Sequence, residues 1–281
     1  MKTPQALSAF FRDTELQYLL YDGDGPAIVL VHATGFNPWQ WHPIARELSE
    51  SYRIIAPFFC DHRSTDPNKG GLRWPVLAND LVSLCRQLEI ENPFMVGHSM
   101  GGSVCVLAHE ILPDMAQKMI LIEPILLSDD YYKGEVTLDR LPLAEKAMKR
   151  RNKWKNHEEV ETYLRSKSLF SDWDDEMLKI YLDYGISEAT NGELELTCSP
   201  FGEAALFMGS FARDPEPVLP HINCPVLVVE GGKSDSRARL NLPKVVKLLP
   251  KGEHRIIADA GHLIPMEKPK LILEMIQSYF L

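Results

Sequence analysis

The chain has little of what marks membrane, nucleic-acid-binding or disulfide-scaffold proteins. No apolar run approaches the length of a bilayer-crossing helix, and the opening MKTPQALSAFFRDTELQ lacks the apolar core of a secretory signal, so no membrane partner is expected. Basic residues are the minority, 30 Lys and Arg against 39 Asp and Glu, with a formal net charge of -9. That balance argues against nucleic acid as a partner and suits a neutral or weakly polar small molecule. The five cysteines (Cys60, Cys85, Cys105, Cys198 and Cys224) form no CxxC pair and are odd in number. The expectation is therefore reduced, mostly buried thiols in a cytoplasmic protein. No His/Cys/Asp spacing marks a metal site, and no cofactor is expected. Internal repeats and low-complexity segments are missing too.

What is present is a soluble globular composition, 45% hydrophobic and 25% charged over 281 residues. That is enough for one large α/β domain or a domain carrying an insertion. Short β-branched runs recur: AIVLVH (27–32), RIIAP (53–57), PFMVG (93–97), KMILIE (118–123), PVLVVE (225–230) and HRIIAD (254–259). They stay apolar throughout, as strands covered on both faces do. Helical patterns such as PVLANDLVSLCRQLEI (75–90) separate most of them, which predicts a mostly parallel sheet. LQYLLYDGDGP reads as an antiparallel lead-in hairpin turning at residues 22–26. From Ile125 to about Pro217 no strand is evident and the pattern is helical. The predicted division is a core of residues 1–124 and 218–281 with an inserted helical cap at 125–217. The basic run MKRRNKWK within the cap reads as a solvated helix face.

Ligands of parallel sheets bind beyond the carboxyl ends of the strands, so the residues just after each run carry the functional argument. PFMV is followed by Gly97-His98-Ser99-Met100-Gly101-Gly102 and then by an apolar helical stretch. A strand that turns this sharply needs glycines flanking the serine, and the turn offers Ser99 as a nucleophile at a helix N-terminus. AIVLV is followed by His32-Ala33-Thr34-Gly35-Phe36, where the Thr34 N–H, with that of Met100, makes a candidate oxyanion hole. HRIIAD is followed by Ala260-Gly261-His262, which places a histidine late in the chain as general base. The acid has two candidates. Asp235 follows PVLVVE and fits the order serine, acid, histidine; Glu123 ends KMILIE on the neighbouring run. Asp235 is the preferred one. Phe36, Trp39 and Trp41, with His98 inside the turn, suggest an aromatic-lined substrate pocket.

These residues together resemble the α/β-hydrolase superfamily, in its serine-hydrolase, esterase-like form with a helical cap. The likeness rests on HATGF, GHSMGG, LIEP, the cap and AGHLIPMEKP, and it covers nearly the whole chain. It implies an eight-stranded, mostly parallel sheet and a triad on Ser99, Asp235 and His262, with an oxyanion hole from Thr34 and Met100. It implies further a carboxylic ester hydrolase working through an acyl-enzyme, with a C–C bond or thioester hydrolase, or a ligand-binding receptor on the same fold, as alternatives. A monomer or homodimer fits equally. Two departures stand out. Ala33 replaces the glycine usual in the family's H-G-x-G. The loop FFCDHRSTDPN replaces the family's D-x-R-G-x-G-x-S, so Cys60, Asp61, His62 and Arg63 either face the pocket or form a rebuilt surface loop.

Overall fold

Stretches rich in Val, Ile and Leu form the spine of the protein, because branched side chains fill a pleated surface buried on both sides. In the computed structural model, which describes residues 3–11, 13–134, 136–237 and 239–281, they give an eight-stranded sheet in the order β1-β2-β4-β3-β5-β6-β9-β10. The strands are β1 (Gln5–Phe10), β2 (Glu15–Tyr21), β3 (Ala27–Val31), β4 (Arg53–Pro57), β5 (Phe94–His98), β6 (Lys118–Ile122), β9 (Val226–Gly231) and β10 (Gly252–Ile257). β1 pairs antiparallel with β2, and β2 antiparallel with β4. All pairings from β4 through β10 are parallel.

Helices α1 (His42–Leu48) and α10 (Pro269–Phe280) cover one face. Their Ile44, Leu48, Ile272 and Ile276 join Leu30, Ile54, Val96 and Ile120 in one buried cluster. Helices α2 (Trp74–Gln87), α3 (Met100–Ile111) and α8 (Leu242–Leu248) cover the other, where Leu77, Leu81, Val104 and Val245 pack with Val29, Met95 and Leu121. A short α9 (Ile264–Glu267) precedes α10. The chain leaves β3 towards β4 on one side and returns to β5 on the other, so the loops after β3 and β5 part in opposite directions. This is the crevice where parallel sheets bind their ligands.

Between β6 and β9 lies the cap region: α4 (Pro142–Met148), α5 (His157–Arg165), α6 (Asp175–Tyr184) and α7 (Pro200–Gly209). Its own core, with Trp154, Leu164, Phe170, Trp173 and Tyr181, is continuous with Ala33 and Phe36 from the loop after β3, with Leu263 from the loop after β10 and with Met266 of α9. The cap therefore sits on the loops at the carboxyl edge of the sheet.

Three expectations need correction. Residues 22–26 do not turn a hairpin: they carry the chain from β2 to β3, which are separated in the sheet by β4, and the lead-in hairpin is instead β1–β2. The cap is not wholly helical, since β7 (Ile186–Glu188) and β8 (Leu194–Leu196) pair antiparallel around Gly192, whose φ of 81° makes the tight turn. Three-residue strands are too short to show a periodicity. Nor are all the cysteines free: Cys60 and Cys198 form a disulfide across 138 residues, leaving Cys85, Cys105 and Cys224 as thiols. Sequence spacing cannot reveal a pair brought together by the cap, and the cysteine-based case for a cytoplasmic address loses its basis.

Candidate active site

Gly97 and Gly101 make the turn after β5 possible. A side chain at Gly97 would run into the backbone of Gly101, and one at Gly101 into the carbonyls of Val31 and His32. Without Cβ atoms at both positions, α3 seats its first turn directly against the end of β3. Ser99 itself lies at φ 55°, ψ -116°, a conformation that costs a non-glycine residue on the order of 1–3 kcal/mol. Hydrogen bonds hold it there: Ser99 N–H donates to the Ile122 carbonyl, and the Ser99 carbonyl accepts from the N–H groups of Gly102 and Ile125.

From this turn an unbroken relay extends. Ser99 Oγ lies 3.0 Å from His262 Nε2, and His262 Nδ1 lies 2.9 Å from Glu123 Oε2. The carboxylate that meets the histidine is thus Glu123, and the preference for Asp235 is corrected. Glu123 is fully buried at the end of β6, at a left-handed φ of 47°. Its Oε1 accepts from Gly231 N–H at 2.7 Å and its Oε2 also accepts from Ser234 O–H at 2.6 Å. Asp235, one residue further on, is an exposed turn residue. The loop after β9 therefore contributes to the relay through Ser234 rather than through its aspartate. A carboxylate with three donors is an acceptor poised to hold an imidazole in one orientation and to stabilise its cation.

The histidine loop is fastened from two sides. Glu267 Oε2 accepts from Gly261 N–H at 2.6 Å. His98, buried beneath, lies 2.9 Å from the carbonyl of His262 through Nε2. Because a carbonyl only accepts, His98 Nε2 carries a proton. Burial, reinforced by His262 nearby, pushes the His98 pKa down to about 3, so it stays neutral while it holds the loop. His98 belongs to the frame of the site, not to the wall of a pocket.

Thr34 and Met100 begin the loop after β3 and helix α3, and the close seating at Gly101 brings these segments together. Among the described residues neither backbone N–H has a protein acceptor. Ser99 is 6% exposed and Thr34 9%, so both are buried at the edge of the sheet on which the cap sits. Phe36 is at the cap boundary, with ring centroids 5.7 Å from Trp173 and 5.8 Å from Tyr181. Trp39 stacks on Tyr184 of the cap at 3.7 Å. Trp41 lies in the core cluster under α1 and away from this boundary. A tryptophan in a loop sequence gives no sign of which side of the sheet it enters.

The loop that replaces the family's usual β4 loop is structural. Asp61 accepts from the N–H of Ser199 at 2.7 Å and from its O–H at 3.0 Å, which ties the loop to the start of α7. His62 and Arg63 both bind the buried Asp80 of α2. The sulfurs of Cys60 and Cys198 and a carboxylate oxygen of Asp61 lie within 4.8 Å of one another. The sulfurs are bonded to each other and the carboxylate is held by Ser199, so this group offers no free ligand set. Two residues of the site are not among the sequence candidates: Ser234, in the loop after β9, and Glu267, which lies within AGHLIPMEKP.

A family model described as "Alpha/beta hydrolase family" matches residues 28–275. An uncharacterized protein of Mycobacterium tuberculosis is 32% identical over 100 residues, 36% of this chain and 29% of that protein, so the match spans less than a third of the relative's length. A Haemophilus influenzae protein bearing the provisional description esterase/lipase is 22% identical over 254 residues, 90% of this chain and 83% of that one. Among solved structures, E-2-(acetamidomethylene)succinate hydrolase superposes with a TM-score of 0.83 at 21% identity over 99% of both chains. The peroxisomal α/β-hydrolase Lpx1 of Saccharomyces cerevisiae gives 0.80 at 17% identity, over 100% of this chain and 88% of that one. A thermophilic esterase from Thermogutta terrifontis, with malate bound, gives 0.71 at 23% identity over 98% of both. At these identities the superpositions speak to the fold.

Proposed function

Because the chain belongs to the alpha/beta hydrolase family, we propose that it is a serine hydrolase cleaving a small, fairly apolar carboxylic ester through Ser99, His262 and Glu123. The observation that carries this reading is the relay from Ser99 Oγ through both ring nitrogens of His262 to the buried Glu123 carboxylate. The O–H of Ser99 donates to Nε2, the N–H at Nδ1 donates to Glu123, and the imidazole is thereby in the tautomer that can take the serine's proton.

In the first half-reaction Ser99 Oγ attacks the substrate carbonyl carbon as His262 Nε2 receives the proton. The carbonyl oxygen, now an anion, accepts from the N–H groups of Thr34 and Met100, with the amino end of α3 adding its dipole. The C–O bond of the leaving group then breaks, the proton passes from His262 to the departing alcohol, and an acyl-Ser99 ester remains. A water that gives its proton to His262 attacks this ester, and collapse releases the acid and restores Ser99. Glu123 stays ionised throughout and offsets the imidazolium charge. The cap, proposed as residues 125–217, closes the acyl side with Phe36, Trp173 and Tyr181. An apolar wall of this kind favours a substrate with an apolar body. The names of the esterase and hydrolase among the structural relatives support bond hydrolysis of this class.

Fluorophosphonate labelling followed by an acyl-chain series of p-nitrophenyl esters and thioesters tests the reading. Label on Ser99 and turnover of short esters, reduced by several orders of magnitude in Ser99→Ala, are expected. Full hydrolysis by Ser99→Ala overturns the mechanism. Preference for thioesters redirects the substrate class, and tight ligand binding with negligible turnover replaces the enzyme with a receptor.

A further inference from the structure

His32 is buried at the end of β3 and takes no part in the relay. Its two ring nitrogens have different partners. The backbone N–H of Phe59, in the loop after β4, donates to His32 Nε2 at 2.9 Å. That nitrogen must therefore present a lone pair, and the ring proton is on Nδ1. Nδ1 lies 2.8 Å from the carbonyl oxygen of Ala33, so it donates there. The same carbonyl also accepts from Phe36 N–H at 3.3 Å.

The Ala33 carbonyl and the Thr34 N–H belong to one peptide plane. The described backbone has no cis peptides, and in a planar trans peptide the C=O and N–H point in opposite directions. Fixing the carbonyl on one side fixes the N–H on the other. Apart from the longer bond from Phe36, the peptide has no other hydrogen bond among the described residues: Gly35 follows at φ 79°, and the Thr34 N–H has no protein acceptor among them. A flip of this single peptide would remove one oxyanion donor without disturbing the Ser99–His262–Glu123 relay.

We propose that His32 is a positioning residue for the oxyanion hole, whose Nδ1–H locks the Ala33–Thr34 peptide with the Thr34 N–H turned towards the carbonyl oxygen bound at Ser99. The proposal rests on the serine-hydrolase reading above. Through Phe59 it also ties the hole to the loop that this chain has rebuilt and that Cys60 fastens to the cap. Burial holds the His32 pKa down to about 4, which keeps Nε2 unprotonated and open to Phe59 at neutral pH.

Two amides separate the ring's two functions. Asparagine places an N–H donor where Nδ1 stands, and glutamine places an acceptor where Nε2 stands. His32→Asn should keep kcat within a few-fold while losing the bond to Phe59. His32→Gln should keep Phe59 and lower kcat by about 10- to 100-fold, with KM little changed, towards the loss seen when one oxyanion donor is removed. A general structural role would lower both variants in step with their melting temperatures. The proposal is overturned if His32→Gln retains wild-type kcat, or if both variants lose kcat equally. A measurement on the unaltered protein covers the case in which a variant does not fold. In ¹⁵N-histidine NMR, His32 should carry its proton on Nδ1, and a proton on Nε2 overturns the proposal. Ser99→Ala, run alongside, separates the two failures. Loss of activity there with an unaffected His32→Gln removes only this inference, whereas full activity there removes the serine mechanism itself.

Discussion

Two carboxylates end neighbouring strands of the same sheet, and only one reaches the histidine. Glu123, just past β6, is fully buried and accepts three hydrogen bonds, from His262, Gly231 and Ser234. Asp235, four residues past the end of β9, is exposed in a turn. Chain order and residue type favour the aspartate, whereas depth favours the glutamate. A buried anion is tolerable only when its lone pairs are satisfied. Those donors therefore show where a working carboxylate is built more reliably than a strand-end position does. The loop after β9 still takes part, but it gives a backbone N–H and a hydroxyl to the acid rather than the acid itself.

Steady-state ester hydrolysis of Glu123→Gln and Asp235→Asn sets the two sites against each other with the largest effect. The glutamine variant should lose on the order of 10³–10⁴ in kcat, as removal of the acid's charge misplaces the histidine tautomer. The asparagine variant should stay within two-fold of wild type. Equal losses would dissolve the contrast.

Ser234→Ala sharpens it from the side of the β9 loop. It removes one donor from a buried carboxylate, a bond of the kind worth about 1.5–3 kcal/mol. The expected result is a kcat reduced roughly ten-fold, because the carboxylate is less well oriented, with a lower melting temperature. Asp235→Ala should move neither quantity.

Stability against pH bears on the contrast least directly. His32 and His98 have folded-state pKa values held down to about 4 and about 3, both chiefly by burial. In the unfolded chain each returns to about 6.5 and binds a proton more readily. Their contribution is complete above about pH 6.5 and is lost progressively as pH falls through the window down to those folded values. Melting temperature should decline from pH 7 to pH 4. Substituting His98 by an uncharged residue should flatten the decline, and an unaltered slope in that variant would show that His98 is not the group responsible.

The sequence made much of this architecture legible, and its limits have physical causes. The six apolar runs coincide with β3, β4, β5, β6, β9 and β10 to within a few residues, and for the first five the reason is that strands buried on both faces write an uninterrupted apolar signal; β10 is instead an edge strand whose Glu253, His254, Arg255 and Ile256 are exposed, so the expectation of cover on both faces fails there. Ser99 stands out because the turn needs glycines at fixed offsets. Other features depend on encounters between distant segments. Glu123 and Ser234 are 111 residues apart in sequence, and Cys60 and Cys198 are 138 apart. Nothing local at either end marks the meeting. Trp39 and Trp41 are two residues apart and both pack on the core below, but Trp41 is buried within it whereas Trp39 also stacks on Tyr184 of the cap. The β7–β8 hairpin was illegible for a simpler reason, its strands being only three residues long.

The relay stands or falls on the Nδ1–H of His262 donating to Glu123. The low-field proton NMR signal of a histidine N–H bound to a carboxylate tests it most directly, recorded on wild type, Glu123→Gln and Asp235→Asn at the same pH. Such a signal should be present in wild type, be retained in Asp235→Asn, and be lost or move markedly upfield in Glu123→Gln. A signal that survives Glu123→Gln and disappears in Asp235→Asn would make Asp235, not Glu123, the partner of His262.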